Sequence, residues 1–295
     1  RRYLTGQGPE RFFPVFPSFD GSAMNIRSFT VIAAATLCVS TLPGCQTVQT
    51  TQPGAVGVDR TQRFVVSEKE INQASEKAYA QVMQEAQKKG ILNRNPAQVE
   101  RVRRIANRLI PAAGTFRKDA LSWKWEANVI SSNEVNAWAM PGGKMAVYSG
   151  IIEKLNLTDD ELAAIMGHEI AHALREHGRE RASQQVVQST VVSVGAAILG
   201  VGDLGVQLTQ AVLDVTLNLP HSRTDEIEAD RIGVELAARG GFDPRAAVSL
   251  WEKMGKAGGA RGPEFLSTHP SPENRLADLR AYSEKVMPLY QAQRR

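Results

Sequence analysis

The pattern of polar and apolar residues predicts a mainly helical chain. At four places a capping residue or a proline precedes apolar residues spaced by three or four, the repeat that lets a helix bury one face. These predicted helix starts are Ser67, Asn95-Pro96, Asp243-Pro244 and Ser271-Pro272. We expect the first helix to reach Gly90, the second to end before Pro111 and the last to end at Tyr282.

A shorter central region has the alternation that is typical of β-strands. Apolar and polar residues alternate from Trp123 to Val129, and two further strands are predicted at 136–140 and 144–148. Pro141-Gly142-Gly143 lies between these two strands and indicates a tight turn. The sequence therefore predicts an α+β fold with a small antiparallel sheet.

One predicted helix carries a group of residues with catalytic chemistry. It starts with a capping box at 158–161 and contains His168, Glu169 and His172. Residues four apart share a helix face, so both imidazoles can bind one zinc ion, with Glu169 placed to take a proton from water. The alternative is a chance match on a solvated helix. Apolar flanking residues favour a buried helix instead, in which unpartnered polar groups are costly.

A third zinc ligand is expected from a later helix that has Ser222 as its N-cap. Glu226 and Asp230 are four residues apart on this helix, so Glu226 can bind the metal while Asp230 accepts the second ring N–H of a ligand histidine. Glu228 lies about 200° around the helix from Glu226, so both cannot reach one ion. Helical geometry leaves open which glutamate is the ligand, and the partnership with Asp230 favours Glu226.

Three blocks of the sequence, in this order, resemble a known family. They are residues 136–143, 168–172 and 222–230. Together they are similar to the zinc metallopeptidases related to HtpX, to the prenyl-protein (CAAX) proteases and to mitochondrial Oma, most of all to the BepA-like and LoiP-like lipoprotein branch of Gram-negative outer membranes. BepA-like proteins continue into a helical-repeat domain that is not expected here, so the partners of that longer type are not expected either.

The resemblance implies a zincin-like, mainly helical α+β domain over residues 67–285, followed by a C-terminal tail at 286–295. It also implies one Zn²⁺ per chain, with Glu169 as the catalytic base and Asp230 as a hydrogen-bond partner behind the ligands. The zinc ligands that it implies are His168, His172 and Glu226.

The same resemblance assigns two further parts of the site. It places Asn136, Ala137, Trp138 and Ala139 on an edge strand at the active-site cleft, where an extended substrate adds a strand to the sheet. His269 lies in a Ser-Thr-His-Pro stretch and is either a surface residue, a reversible fourth ligand or an oxyanion donor. His177 and His221 are expected to be structural.

The N-terminal region has the features of a lipoprotein signal. Residues 1–23 show no periodicity and are expected to precede a true start at Met24. Residues 24–44 then read as a signal peptide, because their apolar stretch of about a dozen residues is too short to cross a bilayer as a helix. The segment that ends in Cys45 resembles a bacterial lipobox, which implies a lipid on Cys45. Residues 45–66 are expected to form a lipidated tether, in which the stretch from Thr47 to Arg60, rich in Thr, Gln and Gly, is expected to be flexible.

Composition excludes some classes of protein and leaves others open. The formal net charge of +4 does not predict nucleic-acid binding, and 42% apolar residues are enough for one full core. The two cysteines are Cys38, in the predicted signal, and Cys45, so we expect no disulfide in the mature chain.

The apolar stretch from Val186 to Leu219 allows three interpretations. It can be a membrane span, a helical hairpin packed on the core, or a mobile lid over the zinc cleft with Gly200 to Gly205 as its hinge. Polar residues shorten the apolar run below about 18 residues, so we favour a hairpin that borders the cleft.

These observations predict a zinc endopeptidase that is anchored by lipid in the outer membrane and faces the periplasm. Its expected partners are the membrane, through Cys45, and unfolded or misassembled envelope proteins that it degrades. The alternative is a zinc-stabilised chaperone or assembly-binding module that holds such proteins without cutting them.

Overall fold

The computed structural model describes residues 46–193, 204–257 and 263–294. The predicted signal peptide, Cys45, and the hinge glycines Gly200 and Gly202 lie outside the described residues. The strands of the described part are β1 (Gln46–Val48), β2 (Gln62–Phe64), β3 (Glu126–Ile130), β4 (Ala137–Met140) and β5 (Lys144–Tyr148). The helices there are α1 (Glu68–Lys88), α2 (Pro96–Ala113), α3 (Ser149–Lys154), α4 (Asp159–Leu174), α5 (His177–Ser193), α6 (Leu204–Leu213), α7 (Arg223–Arg239), α8 (Ala246–Ala257), α9 (Glu264–Thr268) and α10 (Arg275–Ala292).

The expected mainly helical α+β fold is confirmed. Capping boxes at Ser67, Thr158 and Ser222 start α1, α4 and α7. The structure corrects two helix ends. Pro111 lies inside α2, in its last turn, where its missing N–H removes one hydrogen bond without ending the helix. Helix α10 runs beyond Tyr282 into the predicted tail, where a buried Val286 holds it to the core.

The main sheet is mixed, and the prediction of an antiparallel sheet is wrong in this respect. Its strand order is β3-β5-β4, with β4 antiparallel to β5 and β3 parallel to it. The β4–β5 turn needs glycine because Gly142 and Gly143 have φ angles of 82° and 84°. Alternation along a strand predicts its faces but not its neighbours, so the parallel pair could not be foreseen. Strand β4 lies at one edge of the sheet, as expected.

Residues 46–64 form a folded strap, so the prediction of a flexible tether is wrong. Within this strap β1 pairs antiparallel with β2, and the side chains of Thr51, Val56, Val58 and Phe64 are buried. The polar residues that suggested flexibility are hydrogen-bond partners of the buried side chain of Arg175, which donates to Thr50 Oγ1 and Thr51 Oγ1. The polar composition of this segment therefore gave a wrong prediction of flexibility, because its polar groups form hydrogen bonds inside the protein.

Helices α5 and α6 occupy most of the described residues between Val186 and Leu219. They contact each other, and α6 packs on α1. A π-helical turn, Asp214–Asn218, follows α6 and contacts both β4 and α9. Among the described residues, no helix combines the length and apolar character needed to cross a membrane.

The centre of the fold is the contact between α4 and α7. Two glycines face each other where these helices cross. A Cβ atom on Gly167 would lie 2.8 Å from Gly233 O, and one on Gly233 would lie 2.7 Å from His168 N. Both distances are shorter than any normal contact, so only glycine permits this approach of backbone to backbone. The approach brings the N-terminal half of α7 alongside His168.

Replacement of Gly233 by alanine should destabilise the fold. The added methyl group would press on the backbone of α4, and overpacking of this kind costs about 1–3 kcal/mol. Denaturant unfolding of the zinc-free protein measures the loss. Gly255→Ala, in α8, is the matched control because no atom lies within 4 Å of the new methyl group, so its stability should be kept or slightly raised. Equal stability of the two variants would contradict the tight contact.

Candidate metal centre

All five histidines of the chain meet at one place. His168 and His172 come from α4, His177 begins α5, His221 precedes α7, and His269 follows α9. His172 is the central ring, with centroid distances of 4.7 Å to His168, 4.9 Å to His177 and 4.1 Å to His221. Such a gathering of imidazoles points to a metal centre.

Four side chains direct potential ligand atoms at one point. These atoms belong to His168, His172, Glu226 and His269, which are all buried, and they lie within 4.8 Å of one another. His168 Nε2 is 3.1 Å from His172 Nε2 and 3.3 Å from His269 Nδ1. Glu226 Oε1 is 3.4 Å from His172 Nε2 and 3.0 Å from His269 Nδ1. Tetrahedral zinc with bonds of about 2.0–2.1 Å separates its ligand atoms by about 3.3 Å, so this group of residues fits zinc.

The hydrogen bonds behind two histidines fix their ring protons. His168 Nδ1 lies 3.0 Å from Asp230 Oδ1, a carboxylate that can only accept, so the proton is on Nδ1. His177 Nε2 lies 3.1 Å from Glu228 Oε2, so in the neutral ring its Nδ1 accepts from His172 Nδ1 at 2.9 Å. Both Nε2 atoms of the His168–His172 pair therefore present lone pairs to each other. A cation between them relieves that repulsion.

Glu169 lies beside these atoms without being one of them. Its side chain is buried, and Oε1 accepts no hydrogen bond from any described residue. Burial raises the pKa of Glu169 well above its usual value, the charge of Glu226 raises it further, and the backbone amide of Ala139 acts in the opposite direction. His269 Nε2 is 3.6 Å from Glu169 Oε1. A buried carboxyl group with a free oxygen and a raised pKa is suited to accept and return a proton.

Glu226 and Asp230 share one buried cation. Arg275 donates through one nitrogen to Glu226 Oε2 at 3.0 Å and to Asp230 Oδ1 at 2.7 Å, and its guanidinium group stacks on Trp251. Burial alone would raise the pKa of Glu226, but the neighbouring His269 and His168 outweigh it and lower that pKa well below the usual value. Glu226 is therefore a carboxylate, the form that binds metal.

Glu228 points away from the four ligand atoms, as its helix position requires. Its carboxylate contacts His177, Arg60 and Arg175. Burial opposes ionisation, but the hydrogen bonds from His177 and Arg60 lower the pKa of Glu228 to about 2. Helical geometry left open which glutamate is the ligand. In the structure Glu226 faces the other potential ligand atoms, whereas Glu228 contacts His177 behind them.

Sequence reasoning missed the contacts of His177, His221 and Arg275. His177 is five residues after His172, which would place it on another face of a continuous helix. The helix is interrupted at Glu176, whose φ of 52° turns the chain so that His177 faces back to His172. The third histidine so soon after His172 was the available signal. Arg275 and His221 had no signal in local spacing, because their contacts are long-range.

The predicted substrate strand borders this centre. Strand β4 packs against α4, and the amide of Ala139 faces Glu169. The side chains of Ala137 and Trp138 are buried, and Trp138 packs edge-on against Tyr79 at 6.0 Å between ring centroids. Asn136 accepts a backbone hydrogen bond from Tyr148 at 3.0 Å. The side chains of Ala137 and Trp138 thus belong to the core.

The site combines two histidines four residues apart on one helix with a glutamate from a second helix, and a buried carboxyl group lies beside them. These features define a site of the zinc metallopeptidase class. Residues 96–283 match the model of Peptidase family M48. The chain belongs to this family, whose metallopeptidases depend on zinc, and the resemblance seen in the sequence is confirmed.

The relatives fall into two groups. Mitochondrial metalloendopeptidase OMA1 of Schizosaccharomyces pombe is 37% identical over 204 residues, which cover 68% of this chain and 58% of the yeast protein. The beta-barrel assembly-enhancing protease of Escherichia coli K12 is 32% identical over 172 residues, 55% of this chain and 35% of the bacterial protein. OMA1 of Arabidopsis thaliana is 35% identical over 181 residues, 59% of this chain and 35% of the plant protein. The matched region thus spans about a third to three fifths of these relatives.

The geometry predicts different results for two neighbouring glutamates. Glu226→Gln should lower zinc affinity more than about a hundredfold, because it removes a charged ligand atom. Glu228→Gln should cost roughly tenfold, because it weakens only a partner behind His172. Titration with a competing chelator measures both affinities. The assignment is wrong if Glu228→Gln loses the metal and Glu226→Gln keeps it.

Proposed function

We propose that this protein is a zinc-dependent endopeptidase. The observation that supports this best is the buried group of His168, His172 and Glu226 with the unpaired carboxyl oxygen of Glu169 beside it. A purely structural zinc site would have no use for such a carboxyl group, since it has no bound water whose proton must be removed. The metalloendopeptidase names of the OMA1 relatives support the same activity.

The residues of the chain have distinct parts in this mechanism. His168, His172 and Glu226 would hold Zn²⁺, which supplies a Lewis acid that activates water and polarises a peptide carbonyl. Glu169 takes a proton at its free Oε1 and returns it to the leaving amine, for which its raised pKa is suited. Asp230 and Arg275 fix the orientations of His168 and Glu226.

The substrates that we propose are unfolded segments of envelope proteins. A peptide in extended form can add to the edge strand β4 through main-chain hydrogen bonds. In this mode the peptide binds to the main chain of Asn136, Ala137, Trp138 and Ala139, and no particular substrate side chain is required. It suits a protease that removes misfolded or stalled proteins of many sequences.

We place the protein on the periplasmic face of the outer membrane, anchored by a lipid on Cys45. The relatives point to two compartments, since one group is named mitochondrial and the other is named for β-barrel assembly. The lipobox-like residues before Cys45 favour the second. Metabolic labelling with a palmitate analogue, in wild type and in Cys45→Ser, tests the anchor.

Glu169→Gln should abolish proteolysis while zinc content and fold are retained. Loss of the proton acceptor is expected to lower kcat for an unfolded protein substrate by at least about 10²- to 10⁴-fold. Glu264→Gln, exposed on α9, is the control and should cleave normally. Retained cleavage by Glu169→Gln would overturn the mechanism. Full biological function of that variant without cleavage would favour the chaperone alternative.

We further propose that His269 closes the zinc site in the resting protein. Its Nδ1 completes the group of four ligand atoms in the structure. Since catalysis requires an open coordination position, His269→Ala should raise the rate of proteolysis several-fold, measured on a quenched unfolded substrate. Ser267→Ala, at an exposed position on α9 just before His269, should leave the rate unchanged. A lower kcat would instead assign His269 to the oxyanion, and an unchanged rate would remove it from the site.

A further inference from the structure

The strap, residues 46–64, docks directly behind the metal centre. Its Gln62 side chain donates to Arg175 O at 2.7 Å, and its Val56 amide donates to Glu235 Oε2 at 3.0 Å. The Gln52 amide donates to Phe116 O at 2.7 Å. The strap is therefore held by the C-terminal end of α4, by α7 and by the segment that follows α2.

Arg60 is the residue through which the strap meets the histidine cluster. Its Nε donates to Glu228 Oε1 at 2.6 Å, and its two terminal nitrogens donate to the carboxylate of Glu180 at 2.8 and 2.9 Å. A guanidinium fork bound to two carboxylates in this way fixes both of them. In return, Arg175 donates to Arg60 O at 2.9 Å, so the strap backbone is fixed as well.

Glu228 transmits this constraint towards the ligands. Its Oε1 accepts from Arg60 Nε, and its Oε2 receives His177 Nε2 at 3.1 Å beside hydrogen bonds from Arg175 Nε at 2.9 Å and from Arg60 at 3.3 Å. His177 in turn lies 2.9 Å from Nδ1 of His172, whose Nε2 faces the other ligand atoms. The orientation of a ligand imidazole and the position of its ring proton depend on the group behind it.

We propose that Arg60 is a positioning residue for the zinc ligand His172, and that strap docking and zinc binding strengthen each other through Glu228 and His177. The inference rests on the zinc site proposed above but does not depend on peptide cleavage. It gives the segment that follows Cys45 a function beyond attachment, because release of the strap weakens the metal centre.

Because strap docking and zinc binding are linked, the coupling can be measured either on zinc affinity or on strap docking. If the docked strap raises zinc affinity by some factor, zinc must favour the docked strap by the same factor. The strap amides that hydrogen-bond across to Phe116 and Glu235 are reporters of docking, since undocking exposes them to exchange.

The first experiment is a double-mutant cycle on zinc affinity in the full chain. Arg60→Gln should weaken zinc binding roughly tenfold, the low end of the usual loss when an outer partner is removed. Arg63→Gln, an exposed arginine on β2 three residues after Arg60, should change it less than about twofold. In a His177→Phe background, Arg60→Gln should have almost no further effect, because the route to His172 is already broken. A general loss of stability would add in both backgrounds.

The second experiment is hydrogen exchange of strap peptides with and without zinc. In the wild type, zinc should slow exchange in the strap, and the Arg60→Gln and His177→Phe variants should lose this effect. If Arg60→Gln does not fold, the wild-type comparison still decides the question. The inference is overturned if zinc leaves strap exchange unchanged or if Arg60→Gln costs the same affinity in both backgrounds. Absence of proteolysis would contradict the proposed function and leave this coupling intact.

Discussion

The close contact between helices α4 and α7 is the constraint on which the rest of the structure depends. Gly167 and Gly233 bring two backbones together, and each helix contributes half of the site across this contact. Helix α4 supplies His168 and His172, and α7 supplies Glu226 and Asp230. A larger residue at either glycine would separate the histidines from the carboxylates, and every contact behind them would lose its geometry.

Much of this arrangement follows from local sequence. The capping boxes fix where α4 and α7 begin, so the residues that share a face on each helix could be predicted before the helices were placed together. The β4–β5 hairpin follows from alternation around a Gly-Gly turn in the same way. Its parallel partner β3 could not be predicted, because the choice of neighbour depends on packing across the whole domain.

The contacts that local sequence could not provide are those that support the site from outside. Arg275 hydrogen-bonds Glu226 and Asp230 from far along the chain, and Arg60 reaches Glu228 from a segment whose composition suggested flexibility. His177 was missed for a different reason. Its spacing from His172 would place it on another face of a continuous helix, but the structure bends at Glu176, whose side chain is held by Arg117 and Arg179. The α-helical period predicts which residues share a face only within one uninterrupted helix.

The gathering of every histidine into one cluster gives the protein an unusual spectroscopic property. Since the chain has five imidazoles and all of them belong to the metal centre, the imidazole signals of an NMR spectrum come from that centre alone. Reagents that modify histidine would likewise report on access to this one place. The chain thus carries a built-in set of probes, and isotope labelling of a single amino-acid type would follow the state of the centre without any engineered tag.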